Sequence, residues 1–141
     1  MRRIRRLIPG TLACLVFLVT PAMAQNGGNG ERSVLRGVYT KAQSATGKGT
    51  FLNVCANCHS AGQFRGENFQ RTWAGRTIYD LFLQLSSTMP GDNPGGLAPK
   101  EYAAVIAYFL ELNGYPSGEA DLPTATAALE RIRIEVATSN R

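Results

Sequence analysis

The feature of this sequence that most constrains its fold is the segment Cys55–His59, which reads Cys-Ala-Asn-Cys-His. This C-x-x-C-H spacing is the pattern of covalent haem attachment. The two cysteines lie about one helical turn apart, so both sulfurs can reach the two vinyl groups on one edge of a haem. The histidine that follows can then place its imidazole beneath the iron. We therefore predict one haem c bonded through Cys55 and Cys58, with His59 as an axial ligand of the iron.

The N-terminal residues have the layout of a secretory signal peptide. Four arginines at positions 2, 3, 5 and 6 precede an apolar run over residues 7–19, and Ala22-Met23-Ala24 follows as a cleavage site. The apolar run is too short to span a bilayer comfortably. We therefore predict export with cleavage after Ala24, so that residues 1–24 are removed. An uncleaved membrane anchor is the alternative.

Cleavage changes the meaning of the net charge. The full sequence has a formal net charge of +5, but the 117 residues that follow Ala24 carry 11 basic and 10 acidic side chains. The basic character therefore belongs mostly to the export signal, and it gives no reason to expect a nucleic-acid partner. We expect no stable insertion in a membrane after the signal has been cleaved.

The mature chain has few sulfur or imidazole side chains that could bind a metal: Cys55, Cys58, His59 and a single methionine, Met89. A structural zinc site needs four protein ligands, more than these cysteines and the histidine provide. A thioredoxin-like pair would need a strand–helix–strand context that the sequence does not show. A disulfide across so short a loop would add little stability. Haem attachment is therefore the favoured interpretation.

The second axial ligand of the iron is predicted by elimination. A chain with one histidine cannot provide two histidine ligands, and a methionine sulfur is a frequent partner in cytochromes c. Pro90 favours an extended conformation at Met89, and the glycine-rich residues 91–96 that follow predict a loop. We therefore predict Met89 as the second ligand. The alternative is a methionine that only fills the core.

Capping signals and hydrophobic periodicity predict three or four helices separated by long loops. The first opens at residues 40–45 and continues through Val54, and the second opens at a Thr77–Asp80 capping box and continues to about Ser86. The third covers Pro99–Asn113 and ends at Gly114, and a short fourth runs from Pro123 to near Arg131. Residues 60–76 are predicted to form a loop. Ile132, Ile134 and Val136 alternate, which suggests a segment that runs along the domain surface.

Several further segments have a familiar arrangement: residues 37–43 with Gly47, then Trp73-x-Gly75, Tyr79–Phe82, Met89-Pro90 and Leu97–Pro99, then Tyr102–Leu110, Asn113-Gly114, Pro116 and Gly118. Together with the Cys55–His59 motif, they resemble class I c-type cytochromes. The likeness is greatest to the small members that serve, or are fused to, pyrroloquinoline-quinone (PQQ) dehydrogenases. It extends over nearly all of the mature chain.

The resemblance implies an all-α, class I cytochrome c fold, with three to four helices packed around one covalent haem. It implies axial ligation by His59 and Met89, and a helix with Gly47 and Phe51 that crosses a helix with Val105 and Tyr108. It also implies that Trp73 lies near the haem propionates, an ordinary loop anchor being the alternative. We expect a flexible segment over 25–36, the cytochrome c domain over 37–120, and an extension over 121–141 that packs on that domain.

One feature of the sequence departs from the family. Many members have a proline after the motif, and its carbonyl accepts a hydrogen bond from the ligand histidine. No proline lies between His59 and Met89. Because metal-bound histidines are oriented by an acceptor on their other ring nitrogen, another acceptor is expected here. The sequence does not identify it.

The predicted function is one-electron transfer in the periplasm, by a carrier that is not itself an enzyme. With His59 and Met89 both bound, the iron would have no free position for a substrate. The expected donor is a quinoprotein dehydrogenase, and the expected acceptor is a terminal oxidase or another cytochrome. Two alternatives are a fixed haem subunit of a dehydrogenase complex, which docks through the tail after Gly118, and a haem sensor in which Met89 is displaceable.

Overall fold

The computed structural model describes residues 30–136, and this part of the chain contains five α-helices. They are α1 (Lys41–Thr50), α2 (Glu67–Trp73), α3 (Ile78–Thr88), α4 (Pro99–Leu112) and α5 (Thr126–Leu129). Two short strands, β1 (Arg32–Ser33) and β2 (Ile132–Arg133), pair in parallel. The predicted all-α fold class is confirmed. The predicted signal peptide, residues 1–24, lies outside the described residues. None of the helices within 30–136 is long and apolar enough to cross a membrane.

Helix α1 begins where the sequence places a capping residue. The hydroxyl of Thr40 accepts a 3.0 Å hydrogen bond from the backbone N–H of Gln43, which satisfies one of the free donors of the first turn. After Thr50 the helix widens into a π-helical turn over Phe51–Cys55, with a 2.9 Å bond from Ala56 N to the Phe51 carbonyl. The helical segment therefore delivers Cys55 at its C-terminal end, as predicted.

Helices α1 and α4 cross in close backbone contact, and Gly47 is the residue that permits it. A Cβ atom added at Gly47 would lie 1.8 Å from the carbonyl oxygen of Ala104 and 2.8 Å from the nitrogen of Val105. One turn further along, Phe51 packs against Tyr108, with ring centroids 5.6 Å apart. The predicted crossing of these two helices is confirmed.

Helix α3 begins with the predicted capping box. The Thr77 hydroxyl accepts from the N–H of Asp80, and the Asp80 carboxylate accepts a 2.8 Å bond from the N–H of Thr77. The helix continues to Thr88, two residues beyond the predicted end. It stops there because Met89, which precedes Pro90, is extended, with φ −127° and ψ 151°.

Helix α4 is the central element of the core. Every residue from Tyr102 to Leu110 is buried, so this part of α4 is covered on all sides. Pro99 occupies the first turn, and the Glu101 side chain accepts a 2.8 Å bond from the N–H of Ala98. Gly114 ends the helix in a left-handed conformation at φ +75°.

Two predicted elements differ from the structure. Residues 60–76 were predicted as a loop but form a 3-10 turn over Ala61–Phe64 followed by α2. Helix α2 is too short and polar to show a clear period, and its buried Phe69 ties it to the core. The last helix, α5, begins at Thr126 rather than near Pro123 and is a single turn.

The segment over residues 122–134 contributes to the hydrophobic core. Leu122, Leu129, Ile132 and Ile134 are buried, whereas Val136 is exposed. Backbone hydrogen bonds between Ile134 and residues 75 and 76, of 2.7 and 2.8 Å, attach this segment to the turn before α3. The alternation seen in the sequence therefore places Ile132 and Ile134 inside the domain and Val136 at its surface.

Candidate functional site

An apolar cavity of about 510 Å³ lies between the Cys55–His59 segment, α3, the loop after α3, and α4. This volume falls within the roughly 300–1,000 Å³ that is usual for ligand-binding sites. Most of its wall is apolar and comes from Phe51, Val54, Phe64, Leu81, Leu85, Leu97, Tyr102, Val105 and Phe109. All five site residues predicted from the sequence, Cys55, Cys58, His59, Met89 and Trp73, also line it.

The two cysteines lie where the helical segment ends and the chain turns. Cys55 is half-buried at the end of the π-helical turn, and Cys58 is exposed. The carbonyl of Cys55 accepts hydrogen bonds from the N–H groups of Cys58, at 3.1 Å, and His59, at 2.9 Å, which holds the motif in a tight turn. Neither cysteine forms a disulfide within residues 30–136. Burial raises the pKa of the Cys55 thiol.

His59 is half-buried, and its ring is held on two sides. Nδ1 lies 3.1 Å from the side-chain oxygen Oε1 of Gln63. The edge of the imidazole meets the ring of Phe64, with centroids 5.5 Å apart. Nε2 has no hydrogen-bond partner among residues 30–136 and remains available as a metal ligand. Gln63 was not identified from the sequence, because a single glutamine in a polar stretch gives no signal of this contact.

Met89 is fixed through its backbone. Its N–H donates a 2.9 Å bond to the carbonyl of Leu85, which closes the last turn of α3. Its carbonyl accepts a 2.7 Å bond from the hydroxyl of Tyr102 on α4. Nothing in the sequence indicated that Tyr102 holds the loop that begins at Met89. The backbone of Met89 is thus supported from two helices, and the residue lines the cavity.

Aromatic side chains form one wall of the cavity. The rings of Phe64 and Phe109 stack at 4.5 Å with planes only 8° apart, and Phe51 meets both edge-on at 5.8 and 5.9 Å. Asn113, at the end of α4, donates from Nδ2 to the carbonyl of Phe64 at 2.9 Å and accepts from the N–H of Gly66 at 2.8 Å. Asn113 therefore ties the segment after His59 to α4, a role that the sequence did not predict.

Trp73 ends α2 and is half-buried at the cavity wall. The guanidinium of Arg76 lies over its ring, with the central carbon 5.6 Å from the centroid. Trp73 also packs against the buried residues of the hydrophobic core, which is the contact expected if it is an ordinary loop anchor. Its position on the cavity wall is compatible with the predicted propionate contact as well.

The donor set and the shape of the cavity fit a haem. Two thiols can form thioether bonds, an imidazole and a thioether sulfur can ligate iron, and an aromatic, apolar wall can cover a flat ring. No group of three or more His, Cys, Asp or Glu side chains within residues 30–136 could hold a metal ion by itself. Of the four candidate side chains, three come from the Cys55–His59 motif, and the fold adds Met89, which lies 30 residues further along the chain.

A comparison with protein families matches residues 42–109 to the family described as cytochrome C oxidase, cbb3-type, subunit III. The matched range includes the C-x-x-C-H motif, Met89 and most of α4, the elements that enclose the cavity. The chain is a class I c-type cytochrome. No curated protein and no solved structure matches it.

This identification confirms the predicted fold and the predicted cofactor, together with the general part of the predicted function. The fold is that of a cytochrome c, with helices packed around the cofactor site. The cofactor of this cytochrome is a covalently bound haem c, and its chemistry is haem-based electron transfer.

Proposed function

We propose that this cytochrome is an exported, periplasmic one-electron carrier with one haem c bonded to Cys55 and Cys58 and ligated by His59 and Met89. One observation carries the proposal: a single cavity is lined by all four of these side chains. The three from the motif are neighbours in sequence, but Met89 reaches the same cavity only because α3 ends where it does. A methionine that merely fills the core would not need this placement.

When bound, haem c supplies the Fe(III)/Fe(II) couple. The imidazole of His59 and the thioether of Met89 would fill both axial positions, so that no position remains for a substrate. A thioether ligand favours the reduced iron and raises the potential. The apolar wall around Phe51, Phe64 and Phe109 excludes water, which acts in the same direction because it disfavours the additional charge of the oxidised state.

Two further side chains have proposed roles at the edges of the site. Trp73 would donate its indole N–H to a haem propionate, and the positive charge of Arg76 above its ring would favour the anionic group there. Cys58 is exposed, so the edge bonded to it would lie at the surface, where electrons can be exchanged with a partner. Such exchange partners usually dock through small, short-lived interfaces.

The partners we propose are a quinoprotein (PQQ) dehydrogenase as the electron donor and a terminal oxidase or another cytochrome as the acceptor. The experiment is to mix the purified, oxidised cytochrome with a reduced PQQ dehydrogenase and follow the visible spectrum in a stopped-flow instrument. Rapid reduction at low ionic strength is the expected result. This choice of donor would be contradicted if the dehydrogenase reduced the cytochrome no faster than its alcohol or sugar substrate does without the enzyme.

The ligand assignment has its own test. Met89→Ala should keep the covalent haem but open the sixth position, so that the reduced variant binds CO at neutral pH while the parent protein does not. An unchanged spectrum in this variant would contradict the assignment. Rapid CO binding to the parent protein would support the haem-sensor alternative. Cys55→Ser combined with Cys58→Ser should abolish covalent haem.

A second candidate function is a fixed haem subunit of an oxidoreductase complex. It is favoured by one observation, that the matched family is described as a subunit of a cytochrome c oxidase. The apolar side chains of Leu122, Leu129, Ile132 and Ile134 are buried in this chain's own core, so they are not free to dock a partner. Size-exclusion chromatography of the native protein separates the two functions: a monomer that still accepts electrons indicates a carrier, and co-elution with a larger subunit indicates a fixed subunit.

A further inference from the structure

The contact between His59 and Gln63 supplies the hydrogen-bond acceptor that the sequence leaves unidentified. Nδ1 of His59 and Oε1 of Gln63 lie 3.1 Å apart, within the range of a N–H···O hydrogen bond. No proline is available between His59 and Met89 to provide a backbone acceptor in the manner of related proteins. A side chain is therefore in the position where a backbone carbonyl is more usual.

The chemistry of the ring determines the direction of this hydrogen bond. If Nε2 of His59 binds the iron, as the proposed function requires, the one proton of the neutral imidazole must be on Nδ1. Nδ1–H then donates, and Gln63 must present its oxygen rather than its NH₂ group. That is the arrangement in the structure, where Oε1 is the atom nearest to Nδ1.

The backbone of Gln63 is held in place by its surroundings. Gln63 lies in the 3-10 turn Ala61–Phe64, and its N–H donates a 3.1 Å bond to the carbonyl of Ser60. The next residue, Phe64, stacks on Phe109 and meets the His59 ring edge-on. The turn that carries Gln63 is therefore anchored both to α4 and to the imidazole itself, which fixes the origin of the glutamine side chain.

We propose that Gln63 is the positioning residue of His59: its Oε1 accepts the Nδ1 proton, fixes the ring orientation and makes the imidazole a stronger ligand. An acceptor on the far nitrogen raises the basicity of a metal-bound histidine. A more electron-rich ligand stabilises the oxidised iron, so Gln63 lowers the reduction potential relative to a protein without this bond. This inference rests on the proposed ligation by His59.

The test uses the mature holoprotein labelled with ¹⁵N-histidine. Because the chain has one histidine, a single labelled ring reports on the site without assignment of other residues. The reduced protein is placed in D₂O, and the exchange of the Nδ1 proton is followed by NMR. The reduction potential is measured by spectroelectrochemistry on the same samples.

Three variants are compared with the parent protein. Gln63→Leu removes the acceptor, and Gln63→Glu replaces it with a stronger one. Asn68→Leu is the control, because it removes an exposed amide that pairs with Arg71 and not with His59.

In the Gln63→Leu variant, the Nδ1 proton should exchange about tenfold faster than in the parent protein, which corresponds to a hydrogen bond of ~1.4 kcal/mol. The reduction potential of this variant should be higher than that of the parent. Gln63→Glu should restore slow exchange and bring the potential below that of the parent. Asn68→Leu should match the parent in both measurements. If Gln63→Leu does not mature with haem, Gln63→Asn gives the same information, since it withdraws the amide by one methylene.

The role of Gln63 would be overturned if Gln63→Leu and Asn68→Leu had the same rate of Nδ1 proton exchange and the same reduction potential. This conclusion requires that the ¹⁵N shift still shows Nε2 bound to iron. A ¹⁵N spectrum in which neither ring nitrogen binds iron would instead overturn the proposed function. The two failures are therefore distinguishable in one sample.

Discussion

The hydroxyl of Tyr102 donates a 2.7 Å hydrogen bond to the backbone carbonyl of Met89. This bond joins the first turn of the central helix α4 to the residue that we propose as the second ligand of the iron. It acts on the backbone, so it limits how far the thioether can withdraw from the cavity without altering the chemistry of the sulfur. Tyr102 therefore holds the loop that begins at Met89 in place.

We therefore expect Tyr102→Phe to weaken the hold on Met89 while the haem stays attached. The loss of a hydrogen bond worth ~1 kcal/mol should favour displacement of the sulfur by an external ligand about fivefold. Titration of the oxidised protein with imidazole measures this displacement. Tyr108→Phe is the matched control, because the Tyr108 hydroxyl has no hydrogen-bond partner within residues 30–136. Equal imidazole affinity in the two variants would show that Tyr102 does not support Met89.

The crossing of α1 and α4 predicts opposite effects for two glycines of the same helix. Gly47→Ala would drive a Cβ atom into the Ala104 carbonyl, and the helices must separate to accept it. We expect a loss of ~3 kcal/mol in the free energy of unfolding of the holoprotein. Gly49→Ala has open space around its Cβ position, so it should raise the same quantity by about 0.5–1 kcal/mol. Guanidinium titration checks both, and a Gly47→Ala protein as stable as Gly49→Ala would contradict the observed crossing.

The capping box of α3 predicts an acid-dependent contribution to stability. The pKa of the Asp80 carboxyl is held below its usual value mainly by a hydrogen bond from the backbone N–H of Thr77, and also by one from the Thr77 hydroxyl. The positive charge of Arg76 makes a smaller contribution in the same direction. A lowered pKa means that the stabilisation is complete above the unfolded pKa of ~3.9 and disappears as the pH falls through the folded pKa.

Asp80→Asn should therefore reduce the free energy of unfolding by about 1 kcal/mol at neutral pH, and the difference from the parent should shrink below about pH 4. Urea titrations between pH 2.5 and 7 measure this difference. Glu119→Gln, which alters an exposed carboxylate, should leave the curve almost unchanged. A difference for Asp80→Asn that stays constant across the whole range would rule out a charge-dependent role.

The C-terminal segment predicts a contrast between two neighbouring apolar residues. Ile132 is 0% exposed and pairs β2 with β1, whereas Val136 is 59% exposed. Ile132→Ala should lower the free energy of unfolding by about 2–4 kcal/mol because it leaves a cavity in the core. Val136→Ala should change it by no more than about 0.5 kcal/mol. If Ile132→Ala were equally mild, the C-terminal segment would not be part of the folded domain.

The parts of the structure that the sequence could predict are those governed by local signals. They are the C-x-x-C-H motif, the Thr77–Asp80 capping box, and the residues that begin and end α4, Pro99 and Gly114. Each of these signals acts on residues within a few positions of itself. The placement of Met89 on the cavity wall also follows from a local cause, since Pro90 forces an extended residue at the end of a helix.

The parts that could not be predicted depend on contacts between distant residues. Helix α2 is polar and seven residues long, so only the burial of Phe69 in the folded chain indicates its stability. Gln63 and Tyr102 were missed as supports because their roles exist only once the turn after His59 and the loop after α3 face the cavity. The hydrogen bonds of Asn113 to residues 64 and 66 are of the same kind.

The visible and near-infrared spectrum of the purified mature protein, oxidised and then reduced, tests the central claim most directly. We predict a c-type spectrum from a haem that stays bound to the protein during extraction with acidic acetone. We also predict the weak near-infrared band of an iron–methionine sulfur bond in the oxidised state. A c-type spectrum without that band would contradict ligation by Met89. A protein without covalent haem would contradict the assignment of Cys55 and Cys58.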